Sequence, residues 1–404
     1  MVSATPCKVY QVYQHGNSRR ESFRFSPRGP EDEGRYSFSN LTPYTHPPET
    51  NESLPWSELV TLDLSDFNNS GGRERLAAQL SHAVHHVGFF YVKNFGLSQE
   101  QIDRQFTLAR GFFNLPLEEK QKFSVDYEKA DYNGYQWTGY RANEGNFEKK
   151  VGDNIEMYNI PKFIPALEGR YSHPPLIETH LDEIEVFSKH LHNHIVVPLM
   201  VLFAIILELL DKNLLADEHA YDNLSPDHLR YMKYSKRTAE QHAGEPMQVK
   251  GHTDLGSVTL LLCQSVAGSQ FLNDETQSWS YVRAQPGTIT VNLADTLSFL
   301  TGGFLKSSIH RVTAPPKDQL AYERTGVLYF TRPSNDTILK SRVDSSPVLQ
   351  REKELGKLKE GFSKPVTTAD FVKPKQLNPN LYEGKRAKDG GLGITPGFKD
   401  QTYK

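Results

Sequence analysis

Two histidines and one aspartate in the C-terminal half of the chain have the types and spacing of iron ligands. His252 and Asp254 are two residues apart in a run that continues as a Val- and Leu-rich segment, and His310 follows in a separate segment. Two imidazoles and one carboxylate occupy one face of an octahedral Fe(II) ion and leave the opposite face open for oxygen and a co-substrate. These residues therefore predict a mononuclear non-haem iron site.

Strand geometry is the expected means of bringing the ligands together. Successive strand residues point to opposite faces, so a strand through residues 251–262 predicts that His252 and Asp254 project together while the residue between them points away. The third ligand must come from another strand, and the run at residues 287–292, before His310, is also strand-like. A sheet that folds back on itself is the expected scaffold.

Other histidines in the chain are weaker candidates for metal ligands. His180 and Asp182 form a second H-x-D pair, and His190 and His194 lie close behind them, in a stretch from residue 175 to 210 with helical apolar spacing. Helix residues two apart point roughly 200° apart, so His180 and Asp182 cannot converge. His190 and His194 share a helix face but lack the adjacent Glu of a zinc-protease helix, which favours a packed or exposed face.

Composition narrows the class of partner and the compartment. The net charge is −3, from 46 basic and 49 acidic residues that are interspersed, which argues against nucleic acid and favours a small-molecule substrate. The chain has 2 cysteines and its first residues lack the apolar core of a secretory signal, so a cytoplasmic location is expected. Residues 195–210 are the most apolar stretch and fall short of the ~20 residues that a membrane span needs, which predicts a buried helix. The oligomeric state is left open.

Hydrophobic periodicity predicts an order of elements along the chain. A strand at 59–64, a helix at 73–86 and a strand at 88–92 come first, followed by a helix at 98–113 with Ser98 as its N-cap. Phe106, Phe112 and Phe113 of this helix are expected to belong to the core. Strand-like runs between turn signals recur from residue 229 to 330, which suggests an antiparallel barrel or jelly roll. The predicted regions are an irregular arm (1–55), an N-terminal α/β region (56–210), a jelly-roll core (211–340) and a C-terminal helix with a polar tail (341–404).

Segments of the chain resemble, in order, the isopenicillin N synthase-like family of Fe(II)/2-oxoglutarate oxygenases. The resemblance covers roughly residues 57–375, and its motifs are at 62–64, 88–92, 286–292 and 304–312. It implies an α+β fold with a double-stranded β-helix core, which is a distorted, cupin-like jelly roll with flanking N-terminal helices. It also implies that iron is held by His252, Asp254 and His310.

The same resemblance implies a site for 2-oxoglutarate. An arginine from an R-x-S motif holds the distal carboxylate in this family, and Arg324-Thr325-Gly326 is the matching run. A guanidinium suits this task because its fork grips a carboxylate bidentately. Gly326 replaces the usual serine, so the carboxylate needs another donor or a water. The family's N-x-Y element corresponds to Met232-Lys233-Tyr234, which keeps Tyr234 and replaces the asparagine.

Three further residues are candidate substrate contacts. Strand alternation puts Arg230 on the face of Tyr234 and Phe330 on the face of Arg324. Phe330 either stacks against an aromatic substrate or fills the barrel. Met157 lies in a segment that predicts a loop and then a strand, either at the mouth of the site or in a purely structural position.

The implied activity is that of a dioxygenase that uses Fe(II), 2-oxoglutarate and O₂. Such an enzyme decarboxylates 2-oxoglutarate to succinate and removes hydrogen from a substrate C–H bond. The predicted substrate is a small, largely apolar secondary metabolite, such as an aromatic, polyketide or flavonoid-like compound, that is hydroxylated or desaturated. Two alternatives stay open: an iron-dependent oxidase or cyclase of the same fold that does not use 2-oxoglutarate, and a non-catalytic metal-binding ligand sensor.

Overall fold

The computed structural model describes residues 41–126, 129, 131–137, 154–244, 246–274, 276–359 and 366–377. These residues belong to one compact unit that begins at Leu41. The predicted arm before residue 41 and the predicted tail after residue 377 lie outside the described residues.

Strands and helices alternate in the N-terminal half, and strands dominate the C-terminal half. The strands are β1 Thr61–Asp63, β2 Phe89–Lys93, β3 Gly134–Gln136, β4 Ile155–Pro161, β5 His228–Tyr234, β6 Met247–His252, β7 Val258–Leu262, β8 Ser269–Asn273, β9 Ser278–Tyr281, β10 Thr288–Leu293, β11 His310–Thr313 and β12 Arg324–Phe330. The helices are α1 Gly72–His82, α2 Gln99–Phe113, α3 Leu117–Gln121, α4 Pro175–Thr179, α5 Leu181–Leu191, α6 Val197–Ile206, α7 Leu214–Glu218, α8 Ala239–Gly244, α9 Asp295–Leu300, α10 Pro347–Glu354 and α11 Thr368–Leu377.

The strands form two sheets that pack face to face. The large sheet has the order β1-β2-β10-β7-β12-β5-β4-β3 and the small sheet has the order β6-β11-β8-β9. Apart from the parallel pair β1–β2, the paired strands are antiparallel. Apolar clusters join the sheets: Tyr234 and Met232 of the large sheet pack with Val312 of the small sheet, and Phe89 packs with Phe271. This arrangement is the predicted jelly-roll core of an α+β fold.

Helix α2 covers the outer face of the large sheet, against β5 and β12. It begins where the sequence predicted, because Ser98 and Gln101 form a capping box that satisfies two backbone N–H groups. Its buried face carries the aromatic residues predicted to be core, Phe106, Phe112 and Phe113.

The predicted helical stretch at 175–210 is a series of helices, α4 to α6. The continuous helical run Leu181–Ile206 is long and apolar enough to cross a membrane by length and composition, and 61% of its most apolar window is buried inside the protein. The residues of α6 from Pro198 to Ala204 are all buried. This burial is typical of a core helix, and it agrees with the buried helix predicted at residues 195–210.

The first two predicted elements differ in their bounds from the observed ones. The strand predicted at 59–64 is observed only at Thr61–Asp63, and the chain continues as a 3-10 helix at Leu64–Asp66. The predicted helix at 73–86 becomes a π-helical turn at Ala83–Val87, which ends at Gly88 with φ of 75°. A π turn inserts one residue per turn and rotates the side chains that follow, so periodicity alone misses it.

The C-terminal helix also ends early. The sequence predicts a helix at residues 350–361, whereas the observed α10 spans Pro347–Glu354 and Gly356 follows in the left-handed conformation, with φ of 69°. The division of the chain at residues 55, 210 and 340 stays a prediction.

Candidate metal centre

The structure brings His252, Asp254 and His310 together between the two sheets. His252 is the last residue of β6, His310 is the first residue of β11, and the two are register partners. Each histidine places its Nε2 atom 3.7 Å from Oδ1 of Asp254. The three ligand atoms lie within 4.8 Å of one another, and within the described part of the chain no other group of three or more His, Cys, Asp or Glu residues is placed to hold a metal ion.

Asp254 reaches this position by a different route from the one predicted. Strand β6 ends at His252, so Asp254 is not on the same strand. It lies in the connection from β6 in the small sheet to β7 in the large sheet. The crossing between sheets, rather than strand alternation, directs both side chains to one point.

Hydrogen bonds determine which nitrogen of each imidazole faces the centre. Nδ1 of His252 lies 2.9 Å from the carbonyl oxygen of Lys250, and Nδ1 of His310 lies 3.2 Å from that of Ser308. A carbonyl oxygen only accepts, so Nδ1 carries the proton and donates. The Nε2 lone pairs therefore point toward Asp254, which is the tautomer that binds a metal ion.

Asp254 is held as a carboxylate with one oxygen directed at the histidines. Its other oxygen, Oδ2, accepts hydrogen bonds from Oγ1 of Thr259 at 2.7 Å and from Nδ2 of Asn292 at 2.9 Å. Burial raises the pKa of Asp254, but His310, His252 and these two hydrogen bonds together outweigh burial and lower the pKa to about 2. One anion and two imidazole lone pairs that converge in a buried space form a suitable donor set for Fe(II).

The predicted 2-oxoglutarate residues lie together deeper between the sheets. Arg324 and Tyr234 are register partners on β12 and β5, and the guanidinium carbon lies 5.0 Å from the centre of the tyrosine ring. Arg324 donates to the carbonyl oxygen of Val266 at 3.3 Å and to Oγ of Ser269 at 2.9 Å. It is 4% exposed, and burial lowers its pKa from the ordinary value. Among the described residues, no carboxylate lies within ion-pair distance of this buried guanidinium.

The predicted substrate residues are in two places. Phe330 is the register partner of Thr259, which donates a hydrogen bond to Asp254. Phe330 therefore lies at the same height along the strands as Asp254. Its ring stacks on His228, with centroids 4.9 Å apart, and the guanidinium carbon of Arg230 lies 4.6 Å from the ring centre. Met157 instead belongs to the buried cluster around Tyr234.

Arg230 is fixed by its neighbours. It donates from Nε to Oδ1 of Asn159 at 2.7 Å, and its Nη2 lies 3.4 Å from Nε2 of His228. Burial, with the charges of Arg230 and Arg332, lowers the pKa of His228 well below its ordinary value. His228 is therefore neutral, and its Nε2 accepts from Arg230.

The rival histidines have structural contacts. Nε2 of His190 lies 2.7 Å from the carbonyl oxygen of Phe95, and its ring stacks on His194. His180 lies 2.7 Å from a carboxylate oxygen of Glu183. These contacts agree with the packed or exposed helix face that the sequence favoured.

Thr259 and Asn292 are the residues of this centre that sequence reasoning missed. A signal was present, because Thr259 is the one polar residue of β7 and Asn292 is a buried amide on β10. Buried polar side chains are almost always hydrogen-bonded, so such positions mark a partner nearby. Nothing in the sequence identified Asp254 as that partner.

A jelly roll that gathers two histidines and one aspartate around one point defines the class of non-haem iron oxygenases. The model of the 2OG-Fe(II) oxygenase superfamily matches residues 226–333, and the model described as the N-terminal part of non-haem dioxygenases in morphine synthesis matches residues 59–178. A UPF0676 protein of Schizosaccharomyces pombe is 32% identical over 289 residues, with 70% of this chain and 84% of that protein covered. The chain belongs to the Fe(II)/2-oxoglutarate oxygenase family, of the isopenicillin N synthase-like type.

Other comparisons agree. The 2-oxoglutarate-dependent dioxygenase frbH of Dothideomycetidae sp. is 28% identical over 302 residues, with 71% of this chain and 86% of frbH covered. A full-length Neurospora crassa protein in complex with alpha-KG has a similar fold, with a TM-score of 0.66, 20% identity and coverage of 80% of this chain and 99% of that chain. JOX2 in complex with 2OG, Fe and JA is similar with a TM-score of 0.58, 21% identity and coverage of 80% and 93%. This protein is a 2-oxoglutarate-dependent non-haem iron dioxygenase, which uses Fe(II) with 2-oxoglutarate and O₂ as co-substrates.

Proposed function

We propose that His252, Asp254 and His310 hold the Fe(II) ion. The observation that carries this proposal is the convergence of both Nε2 atoms on Oδ1 of Asp254, each at 3.7 Å. The donor set fits Fe(II), because Nδ1 of each imidazole faces a backbone carbonyl oxygen, Nε2 faces Asp254, and the carboxylate is ionised. Bound Fe(II) supplies the activation of O₂ that couples decarboxylation of 2-oxoglutarate to oxidation of the substrate.

Arg324 and Tyr234 are the residues we assign to 2-oxoglutarate. A buried guanidinium without a carboxylate partner among the described residues is costly, and an anionic ligand removes that cost. Tyr234 lies beside it and can donate its hydroxyl proton to the same anion. The residues between Arg324 and the iron ligands, including Leu328 and Val312, are apolar and exclude water from the co-substrate.

The substrate we infer is a small, largely apolar secondary metabolite that is hydroxylated or desaturated. Phe330 offers an aromatic surface at the level of Asp254, and Arg230 adds one fixed polar contact beside it. The Neurospora crassa protein and JOX2 were solved with thymine and JA respectively, which are small molecules with both apolar and polar parts. Met157 is the third predicted contact and would act from the buried cluster around Tyr234.

For the compartment, we propose the cytosol.

Anaerobic titration tests the assignment of both sites. Fe(II)-loaded protein that receives 2-oxoglutarate is expected to develop the visible charge-transfer band of the chelate. His310→Ala should abolish the band, and Arg324→Ala should raise the 2-oxoglutarate Kd by about a hundredfold, because it removes charge-assisted hydrogen bonds. His194→Ala, in the rival histidine pair, should leave the band unchanged. No band in iron-loaded wild-type protein would contradict the assignment of both sites.

A further inference from the structure

Gly326 stands on the same face of β12 as Arg324, where the family's motif has a serine. Gly326 lies on β12 between Arg324 and Leu328, and a glycine brings no hydroxyl to the pocket. A Cβ atom added there would meet Cδ1 of Leu328 at 3.2 Å and Cβ of Met232 at 3.7 Å. The space is therefore narrow, and a side chain at this position would need Leu328 to move by a few tenths of an ångström.

A hydroxyl group reaches the same guanidinium from the opposite sheet. Ser269 begins β8, and its Oγ atom accepts a hydrogen bond of 2.9 Å from Nη2 of Arg324. Ser269 is the register partner of Val312, whose side chain packs against Tyr234 in the interior. Paired residues of neighbouring strands share a face, so Ser269 also points into the interior.

The hydroxyl of Ser269 still has a proton to donate. It accepts from Arg324, and a serine hydroxyl carries one donor in addition to its two acceptor lone pairs. Within the described part of the chain, its Oγ atom donates to no acceptor. A proton held next to a buried cation is well placed for an anion that bridges the two groups.

The distance from the iron ligands suits a five-carbon dicarboxylate. His310 pairs with Phe271, and two residues further along the same strands Val312 pairs with Ser269. Two residues of an antiparallel strand span roughly 6.8 Å. The terminal carboxyl carbons of extended 2-oxoglutarate are about 5 Å apart, from C–C bonds of about 1.5 Å. A molecule chelated beside His310 therefore places its far carboxylate near Ser269 and Arg324.

We propose that Ser269 is a positioning residue for 2-oxoglutarate and supplies the hydroxyl that Gly326 lacks. Its hydroxyl donates to the distal carboxylate while its oxygen keeps the Arg324 guanidinium in orientation. The inference rests on the proposed function, because it needs 2-oxoglutarate bound between His310 and Arg324. It extends that function, because the distal carboxylate of 2-oxoglutarate would be bound by Arg324 of the large sheet and by Ser269 of the small sheet.

A comparison of two keto acids tests the role of Ser269. Anaerobic Fe(II)-loaded protein is titrated with 2-oxoglutarate and, separately, with 2-oxobutyrate, which has the same chelating end and no distal carboxylate. In Ser269→Ala, the Kd of 2-oxoglutarate should rise by about ten- to a hundredfold, as expected for a lost hydrogen bond to a charged group, and the Kd of 2-oxobutyrate should stay the same. The double variant Ser269→Ala/Gly326→Ser should recover part of the loss. Ser278→Ala, an exposed serine on β9, is the matched control.

The outcomes separate this inference from the proposed function. If Ser269→Ala binds 2-oxoglutarate as tightly as the wild type, or weakens both keto acids equally, the role of Ser269 is overturned. In either case the wild-type band still supports the iron and Arg324 assignments. Absence of the band in the iron-loaded wild type would instead remove the proposed function itself.

Discussion

His252 and His310 face each other as register partners across β6 and β11, with their ring centroids 4.3 Å apart. In the chain these strands are separated by β7 to β10, and β7 and β10 belong to the other sheet. The two imidazoles therefore meet only when both sheets have assembled. Because Asp254 lies in the crossing between the sheets, the ligand set depends on the complete jelly roll.

Metal binding should stabilise the fold, since the ligands converge only in the folded chain. A metal ion that binds only the folded state at a free concentration of 100 times its Kd stabilises by about 2.7 kcal/mol. We expect redox-inert Mn(II) to raise the melting temperature of the wild type and EDTA to reverse the rise. In Asp254→Ala, Mn(II) should have no effect. An equal rise in that variant would mean that the metal binds elsewhere.

Removal of the hydrogen bonds to Asp254 should weaken metal binding while the three ligands stay in place. Thr259→Val and Asn292→Leu each remove a donor to Oδ2, which frees the carboxylate to rotate. Such outer partners typically contribute about 10–100-fold in metal affinity. Anaerobic Fe(II) titration measures the change. Thr290→Val, on the same face of β10 as Asn292, is the control and should bind Fe(II) as the wild type does. If Thr259→Val also binds Fe(II) as tightly as the wild type, the hydrogen bond from Thr259 to Asp254 has no role in metal binding.

Gly256 should tolerate no side chain, because the loop after Asp254 lies against β12. A Cβ atom at this position would be 2.3 Å from the carbonyl oxygen of Thr331, which also accepts from the backbone N–H of Ser257 at 2.8 Å. We expect Gly256→Ala to destabilise the protein by about 1–3 kcal/mol or more and to reduce Fe(II) binding. Denaturant unfolding and Fe(II) titration measure the two effects.

Gly169→Ala is the control for backbone strain. Gly169 has φ of +69° and no atom within 4 Å of an added Cβ. It should cost about 1–2 kcal/mol from the left-handed backbone alone and leave Fe(II) binding intact. Similar Fe(II) affinities in the two variants would show that the loop does not depend on the close approach of Gly256.

Acid should destabilise the fold through His219. This buried side chain donates from Nδ1 to the carbonyl oxygen of Leu215 at 2.7 Å and accepts from Oγ of Ser257 at 2.6 Å, and burial lowers its pKa to about 4. Between pH ~6.5, the ordinary value, and pH ~4, the unfolded chain binds a proton that the folded chain does not. The free energy of unfolding therefore falls as the pH falls through this window. Each unit by which the pKa is lowered corresponds to about 1.4 kcal/mol, so the loss over the whole window is roughly 3 kcal/mol.

Urea unfolding at pH 7.5, 6 and 5 measures this dependence. His219→Gln should be less stable at pH 7.5 and show a shallower loss between pH 6.5 and 5, since one titrating group has been removed. His82→Gln, at an exposed histidine of α1, should keep the slope of the wild type. A slope unchanged in His219→Gln would assign the acid sensitivity to other buried histidines.

Prediction from the sequence succeeded where local rules decide the structure. The Ser98 cap and the three phenylalanines of α2 follow from helix periodicity, and both were observed. It failed at the π-helical turn before Gly88 and in the route of Asp254, because one inserted residue or one sheet crossing changes direction without changing composition.

Residue types and spacing were enough to identify the candidate iron ligands. Residue type limits which side chains bind Fe(II), so His252, Asp254 and His310 could be chosen before any distance was known. Arg324 and Tyr234 could be named only through the resemblance to the family's motifs.

The contacts that support these groups form only in the folded protein. Thr259 approaches Asp254 from the strand that follows it, whereas Asn292 approaches Asp254 and Ser269 approaches Arg324 from strands that are far from them in the chain. A hydrogen bond depends on a separation of about 3 Å and on direction, and these follow from sheet register and packing. Register between distant strands is a property of the assembled jelly roll, which local sequence does not encode.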